Sequence, residues 1–408
     1  MKTRFVILLI AGFIFRLFLV SHAYDKLIFD ALGYSEFAKD FLSGKLVIDC
    51  CAKNVGYSLF LALVYRIFGV ENVWAVRIVH ILLDLGTASL LYGISKTVFN
   101  KRVANIVFVL YLFNPFTAAF TGLVLAETVT IFYVTMIAFV LSRPSLPARP
   151  WLWLSLGFLF GLLLFTRHSF YYGIFVFLFL QSYLLFTRMK ERLQFLLIAF
   201  LGFFLASSYS LFAYYVTFRK VTLVPPYNLK YEIIYMNYYL WHYPEVEFKG
   251  IHPMYQEVVQ GYWETPLEKR AEHSQKYKKL FLERLPTDWP VFVHNTAWNI
   301  VWLWDKDHLY TYADPFYPLD QWPLRILNGI LLVCFAIGII SYGFRERTRA
   351  WRQPLFLMSV LLFLYITFLF SLLSNESRHT LAFYPLLTLW AGYGAYRIQG
   401  SLPLHHSF

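Results

Sequence analysis

The chain alternates long apolar runs with short polar breaks, most of them basic. Apolar runs lie at roughly 5–22, 74–98, 103–120, 124–142, 151–166, 170–187, 193–216, 323–343, 354–373 and 380–397. Each is close to the length of roughly 17–25 residues that a helix needs to cross a bilayer. The pattern predicts an all-α polytopic membrane protein with about ten transmembrane helices. Two stretches fit less simply. "VGYSLFLALVYRIFG" (55–69) is apolar but short, and counting it as a span would place Lys101 and Arg102 outside. It is read as a helix half-sunk in the outer interface. "FDALGYSEFAKDFLSG" (29–44) puts Asp30, Tyr34, Phe37, Ala38 and Phe41 on one side of a helix. Ser35, Glu36, Lys39, Asp40 and Ser43 fall on the other, so a single carboxylate, Asp30, sits on the apolar stripe.

Residues 217–322 form one long polar stretch that carries 7 of the 12 tryptophans. Tryptophan favours the place where one end is apolar and the other wet. Within the stretch, "RAEHSQKYKKLFLERL" reads as an interfacial helix, and "WPVFVHNTAWNIVWLW" as a segment dipping into the outer leaflet. The chain divides into a transmembrane module (1–216) with a first external loop (23–73), a small external aromatic-rich domain (217–322) and C-terminal transmembrane helices (323–408).

Composition agrees: of 408 residues, 59% are hydrophobic and 15% charged, too few charges for an ordinary soluble chain. The net charge of +12 would suggest a nucleic-acid partner in a soluble protein. Here the basic clusters are Lys2/Arg4, Lys101/Arg102, Arg143/Arg149, Arg188/Lys190/Arg192 and Arg345/Arg347/Arg349/Arg352. All lie at the N-terminus or in short loops between spans, so they orient the protein with those loops inside. Nucleic acid is excluded. The first span has a basic start, no small-residue cleavage site and an interrupting Arg16, and reads as retained. Cys334 lies in a span, and a bridge between the adjacent Cys50 and Cys51 would be strained.

With this topology, ionisable residues far apart in sequence meet at the outer surface. They are Asp30, Glu127 in "GLVLAET", Arg167 and His168 in "LFTRHSFYY", and Glu376, Arg378 and His379 in "LLSNESRHT". Each has a plainer reading. Asp30 is suited to capping the helix that begins near it. Glu127 and Arg167 are compatible with hydrated interfacial side chains, and Glu376 with a clasp on Arg378. His22, His168 and His379 show no metal-ligand spacing, so the sequence indicates no metal or other cofactor, while leaving dependence on a divalent metal open. Ionisable residues at a membrane edge nevertheless point to function. Desolvation strengthens a carboxylate as a base, and guanidinium groups grip phosphate oxygens in a two-pronged fork. A base beside a lipid-linked phosphate suits transfer of a sugar from a polyprenyl-phosphate donor to an acceptor hydroxyl. A single attack from the opposite face would invert the anomeric centre.

These segments also resemble the GT-C glycosyltransferases that use polyprenyl-phosphate sugars, the group of protein O-mannosyltransferases and aminoarabinose transferases. "FDALGYSEFAKDFLSG" is similar to that family's first-loop pattern. "NVGYSLFLALVYRIFG", "LFNPFTAAFTGLVLAET", "LLLFTRHS", "KLFLERLPTDWPVFVHNTAWNIVWLW" and "ESRHTLAFYPLLTLWAGYG" resemble its later segments. The resemblance implies Asp30 as general base and Glu127 as the second acidic position. It places Arg167 and Arg378 near the lipid phosphate, and Tyr34, Tyr57, His168, Glu376 and His379 are taken with them as candidate substrate contacts. The expected partners are a polyprenyl-phosphate sugar, membrane lipids and an acceptor that is lipid, glycan or protein. The expected setting is the plasma (inner) membrane with the site on the extracytoplasmic face. The chain departs from many relatives at Asp30-Ala31, where they carry two acids, and this leaves the acceptor class open. The rivals are a transporter or flippase of lipid-linked sugars, for which Asp84 is the one clear mid-span acid, and a non-catalytic assembly subunit.

Overall fold

The computed structural model describes residues 2–48, 55–144, 146, 149–171, 173, 193–219, 221–222, 229–239, 254, 256–266, 269–373 and 376–401. Among these residues every regular element is helical. The first module contains α1 (Lys2–His22), α2 (Asp30–Leu42), α3 (Val55–Phe68), α4 (Val73–Val98), α5 (Lys101–Leu112), α6 (Pro115–Phe120), α7 (Glu127–Leu141), α8 (Pro150–Thr166) and α9 (Leu193–Phe218). After it come α10 (Lys230–Met236), α11 (Arg270–Trp304), α12 (Gln321–Glu346), α13 (Pro354–Leu373) and α14 (Tyr384–Ser401). Five of these, α1, α4, α9, α12 and α13, are long and apolar enough to cross a membrane, and α3, α7 and α8 are shorter apolar helices. The chain is an integral membrane protein. The expected span at 170–187 lies outside the described residues apart from its first two positions and Gly173.

Two expectations are corrected, and a third is met. The apolar run 103–120 is not one helix but α5 and α6, because Asn114-Pro115 restarts it. The Asn114 side chain accepts from Phe116 N at 3.0 Å, and proline fits the first helical position. The final apolar run opens as a 3-10 turn, Ser377–Phe383, before α14. The two segments expected between 270 and 304 are present as two helical stretches, both within α11, that meet at a kink at Asp288, where the backbone leaves helical geometry between Pro286 and Pro290.

Two kinds of contact set the helix positions. Where α8 crosses α9 the backbones touch: a Cβ at Gly157 would lie 1.8 Å from Ala199 O, and one at Gly202 2.2 Å from Leu154 O. Small residues allow this approach in a bilayer. Polar pairs do the rest. Arg16 on α1 and Asp84 on α4 meet at 2.6 Å, both side chains 0% exposed. Tyr111 of α5 donates to the other Asp84 oxygen at 2.6 Å. Further on, Asn299 on α11 donates to the Asn237 side chain at 2.7 Å, and Asn237 donates to Leu372 O at 2.8 Å. The polar stretch is thereby seated on the end of α13.

Candidate active site

The helix α2 starts at Asp30, and its N-cap is Phe29, which makes no side-chain capping bond. Asp30 is therefore the first residue inside the helix, and the capping account of it fails. The expectation of a desolvated carboxylate is also corrected. Asp30 is 35% exposed and paired, its Oδ2 3.1 Å from Arg378 Nη2 and accepting from the Tyr312 hydroxyl at 3.1 Å. The helix instead buries Ala31, Tyr34, Ser35 and Ala38. Ser35, which the helical spacing put on the watery side, reaches Tyr65 of α3 at 3.1 Å.

Glu127 opens α7, where a carboxylate suits the positive end of the helix dipole. The turn before it is fixed from α4, since Arg77 Nε donates to Gly122 O at 2.9 Å. Arg167 follows the last residue of α8 and meets Glu127 at 3.2 Å, with both side chains buried. Its height is set by α3: a Cβ at Gly56 would lie 2.5 Å from Phe165 O, so only glycine lets α3 come this close. Arg167 Nη2 also donates to Nδ1 of His379. The His379 ring stacks on Phe370 at 4.4 Å, with 10° between planes. Burial first, then the charges of Arg167, Arg378 and Lys306, push His379 well below its usual range. It is neutral and accepts from Arg167.

Arg378 closes the arrangement. Its Nε donates to Glu376 at 2.6 Å while Nη2 holds Asp30. Burial opposes its charge, but Glu376, Tyr312 and Asp30 outweigh this and hold the guanidinium firmly protonated. The result is two linked sets, Asp30–Arg378–Glu376 and Glu127–Arg167–His379, with the buried Tyr34 in the field of both. Burial first, then the carboxylates of Asp30 and Glu127, push the Tyr34 phenol up, so it remains a donor.

Of the residues expected from sequence, Asp30, Tyr34, Glu127, Arg167, Glu376, Arg378 and His379 come together. Tyr57 lies one layer behind, edge-on to Tyr34 at 4.9 Å and 3.3 Å from His80 Nε2. The side chain of His168 lies outside what the structure describes. Two participants were missed. Tyr312 bonds Asp30, and Lys306 donates to the Ser377 carbonyl beside Arg378. Both sit on the turn between α11 and α12, where no spacing marked them. Among the described residues no group of three or more His, Cys, Asp or Glu stands close enough to hold a metal ion.

An apolar groove lies further into the bundle, lined by Val134, Leu163, Phe170, Met358, Leu362 and Tyr365 among others. Leu163 and Phe170 flank Arg167 in sequence, four residues before and three after it. The groove runs between α7, α8 and α13, the helices whose ends carry Glu127, Arg167 and the 376–379 turn.

Residues 53–212 match the family described as dolichyl-phosphate-mannose-protein mannosyltransferase. No curated protein matches the sequence. In structure the chain is similar to the archaeal oligosaccharyltransferase AglB from Archaeoglobus fulgidus in complex with an inhibitory peptide and a dolichol-phosphate. The TM-score is 0.54 at 10% identity, covering 98% of this chain and 51% of that one. The apo form of the Archaeoglobus fulgidus oligosaccharyltransferase gives 0.55 at 11% identity, with 98% and 51% covered. ArnT from Cupriavidus metallidurans bound to undecaprenyl phosphate gives 0.50 at 14% identity, with 97% and 61% covered. The chain thus spans about half the length of the oligosaccharyltransferases it resembles. Its fold is that of the GT-C glycosyltransferases.

Proposed function

We propose that this GT-C-fold chain is a membrane glycosyltransferase that moves a sugar from a polyprenyl-phosphate donor to an acceptor hydroxyl, with inversion, on the extracytoplasmic face of the plasma (inner) membrane. The observation that carries this reading is the meeting of Asp30, Glu127, Arg167 and Arg378 from four separate segments at one end of the bundle. Asp30, one-third exposed and held through Oδ2, takes the proton of the acceptor hydroxyl. The acceptor oxygen attacks the anomeric carbon, and the bond from that carbon to the phosphate oxygen breaks with its electron pair leaving on the phosphate. Arg378 and Arg167 stabilise that charge, which a preorganised pair of guanidinium groups does well. Glu127 and His379 keep Arg167 in place, Glu376 does the same for Arg378, and the protonated Tyr34 supplies a neutral donor. Tyr57 supports Tyr34 from behind, and His168 borders the same turn as Arg167.

Two further observations support a lipid-linked donor. The apolar groove between α7, α8 and α13, which reaches Leu163 one turn from Arg167, suits isoprene units of a polyprenyl chain. The similar AglB and ArnT structures hold dolichol-phosphate and undecaprenyl phosphate. The transporter reading gains nothing from the one clear mid-span acid, since Asp84 is engaged by Arg16 and Tyr111. The test is incubation of the purified chain with a panel of polyprenyl-phosphate sugars. Consumption of one donor with release of polyprenyl phosphate is expected, and consumption of none across the panel overturns the reading.

A further inference from the structure

Asp30 and Arg378, from opposite ends of the chain, are bonded to each other at 3.1 Å. For the reaction proposed above this is a conflict. A carboxylate paired with a guanidinium is a weaker proton acceptor than a released one, and a paired guanidinium has less to offer an incoming anion. The surrounding contacts indicate which bond gives. Arg378 has a second carboxylate, Glu376, two residues away and closer, at 2.6 Å. Asp30 has a second donor, the Tyr312 hydroxyl, on the same Oδ2. If the Asp30–Arg378 bond opens, each partner keeps one hydrogen bond and its orientation.

The backbone is shaped to keep Tyr312 there. Phe29 and Tyr312 have φ of 49° and 71°, a region that residues with side chains seldom adopt. Their rings meet at 4.7 Å, beside Asp30. The Tyr312 ring also lies 5.2 Å from the Arg378 guanidinium. The turn carrying Tyr312 is pinned twice. Asp314 accepts from the backbone N–H of Tyr310 at 3.1 Å and of Phe316 at 2.9 Å, and the Tyr310 hydroxyl donates to Leu19 O at 2.6 Å. Unusual backbone on both sides of one carboxylate is the kind of strain that functional sites retain.

We infer that Arg378 is an exchangeable counterion: the donor phosphate displaces Asp30 from it, so the base is released only once donor is bound, and Tyr312 keeps the freed carboxylate aimed. One ion pair breaks and another forms, no covalent bond changes, and the guanidinium keeps its protons. The inference rests on the glycosyltransferase reading and adds an order to it, donor before proton transfer. It also makes Asp30 a competitor of the phosphate and Tyr312 a positioning residue.

The experiment is binding of undecaprenyl phosphate to the purified full chain in lipid nanodiscs. Asp30→Asn should bind about tenfold more tightly than wild type, because a like charge facing the anion is gone. Asp30→Ala, run beside it in case the amide is poorly tolerated, should tighten binding as well. Tyr312→Phe should leave binding within about twofold while lowering kcat with little change in KM, the split expected of a group that orients the base. Equal or weaker binding by both Asp30 variants, with wild type binding and Arg378→Ala losing it, overturns the exchange and leaves the glycosyltransferase reading standing. Failure of wild type to bind undecaprenyl phosphate overturns both.

Discussion

Two arginine–carboxylate clusters in this molecule use the same chemistry to different ends. Inside the bundle, Arg16 and Asp84 are 0% exposed, and Arg16 also donates to the carbonyls of Gly12 and Leu112 at 3.0 and 2.7 Å. At the end of the bundle, Arg378 is equally well supplied, but Asp30 is 35% exposed and bonded through one oxygen. A sealed pair neutralises two charges that lipid would not tolerate singly. An open pair leaves a lone pair and a charge facing the site. The difference lies in what surrounds the ions, and the sequence, which marked Asp30 as the candidate base, showed no partner for the mid-span Asp84.

The largest effect that would break this comparison belongs to Asp30. Asp30→Asn should lower sugar transfer by roughly 10²–10⁴-fold, the usual worth of a general base. Its melting temperature should stay near that of wild type, because the carboxamide can still accept from Tyr312. The measurement is turnover of a polyprenyl-phosphate sugar by wild type and variant, with thermal melting as control. A fully active variant would reduce the open cluster to another structural pair.

Asp84 should show the mirror image. Asp84→Asn leaves Arg16 charged and unpaired in an apolar interior, a change that costs about 3–5 kcal/mol of stability. Protein that does fold should transfer sugar at near the wild-type rate per molecule. Replacing both partners, Arg16→Met with Asp84→Leu, should recover most of the loss, since an apolar pair of similar volume suits that interior. Yield and melting temperature in detergent, set against specific activity, separate the two outcomes. A variant that is stable but inactive would move Asp84 into the chemistry.

How much of this was legible in the sequence follows from the range of each signal. Spans at 5–22, 74–98, 193–216, 323–343 and 354–373 were legible because their apolar runs are long and local. The gathering of Asp30, Glu127, Arg167 and Arg378 was legible because basic loops fix which span ends share a side of the membrane. The break at Asn114-Pro115 was present as a capping signal, but it sits inside an apolar run whose length outweighed it. The pairing of Arg16 with Asp84 was not legible: one looked like an interruption and the other like a lone acid, 68 positions apart. Tyr312 was one aromatic among many in the polar stretch, and its place depends on the bonds of Asp314 and Tyr310.

The smallest effect sharpens the comparison with a carboxylate that has neither arrangement. Asp320, at the start of α12, has both carboxylate oxygens buried without a hydrogen-bond partner. Burial first, and then the nearby Asp314 carboxylate, push its pKa up to about 6. The folded state therefore holds this proton more tightly than the unfolded chain, whose aspartates titrate near about 3.9. By linkage the stabilising contribution is fully present below about 3.9 and is lost as pH rises through about 6. At pH 8 the ionised, unpartnered group is a burden. Asp320→Asn removes the charge at nearly constant shape and should raise the melting temperature there by about 1–3 °C, discounted because the side chain is partly exposed. The advantage should shrink as pH falls from 6 towards 4 and vanish below it. Melting curves of wild type and variant at pH 4, 6 and 8 read this directly. A difference that does not change with pH would mean that Asp320 is neutralised by a partner, as Asp84 is.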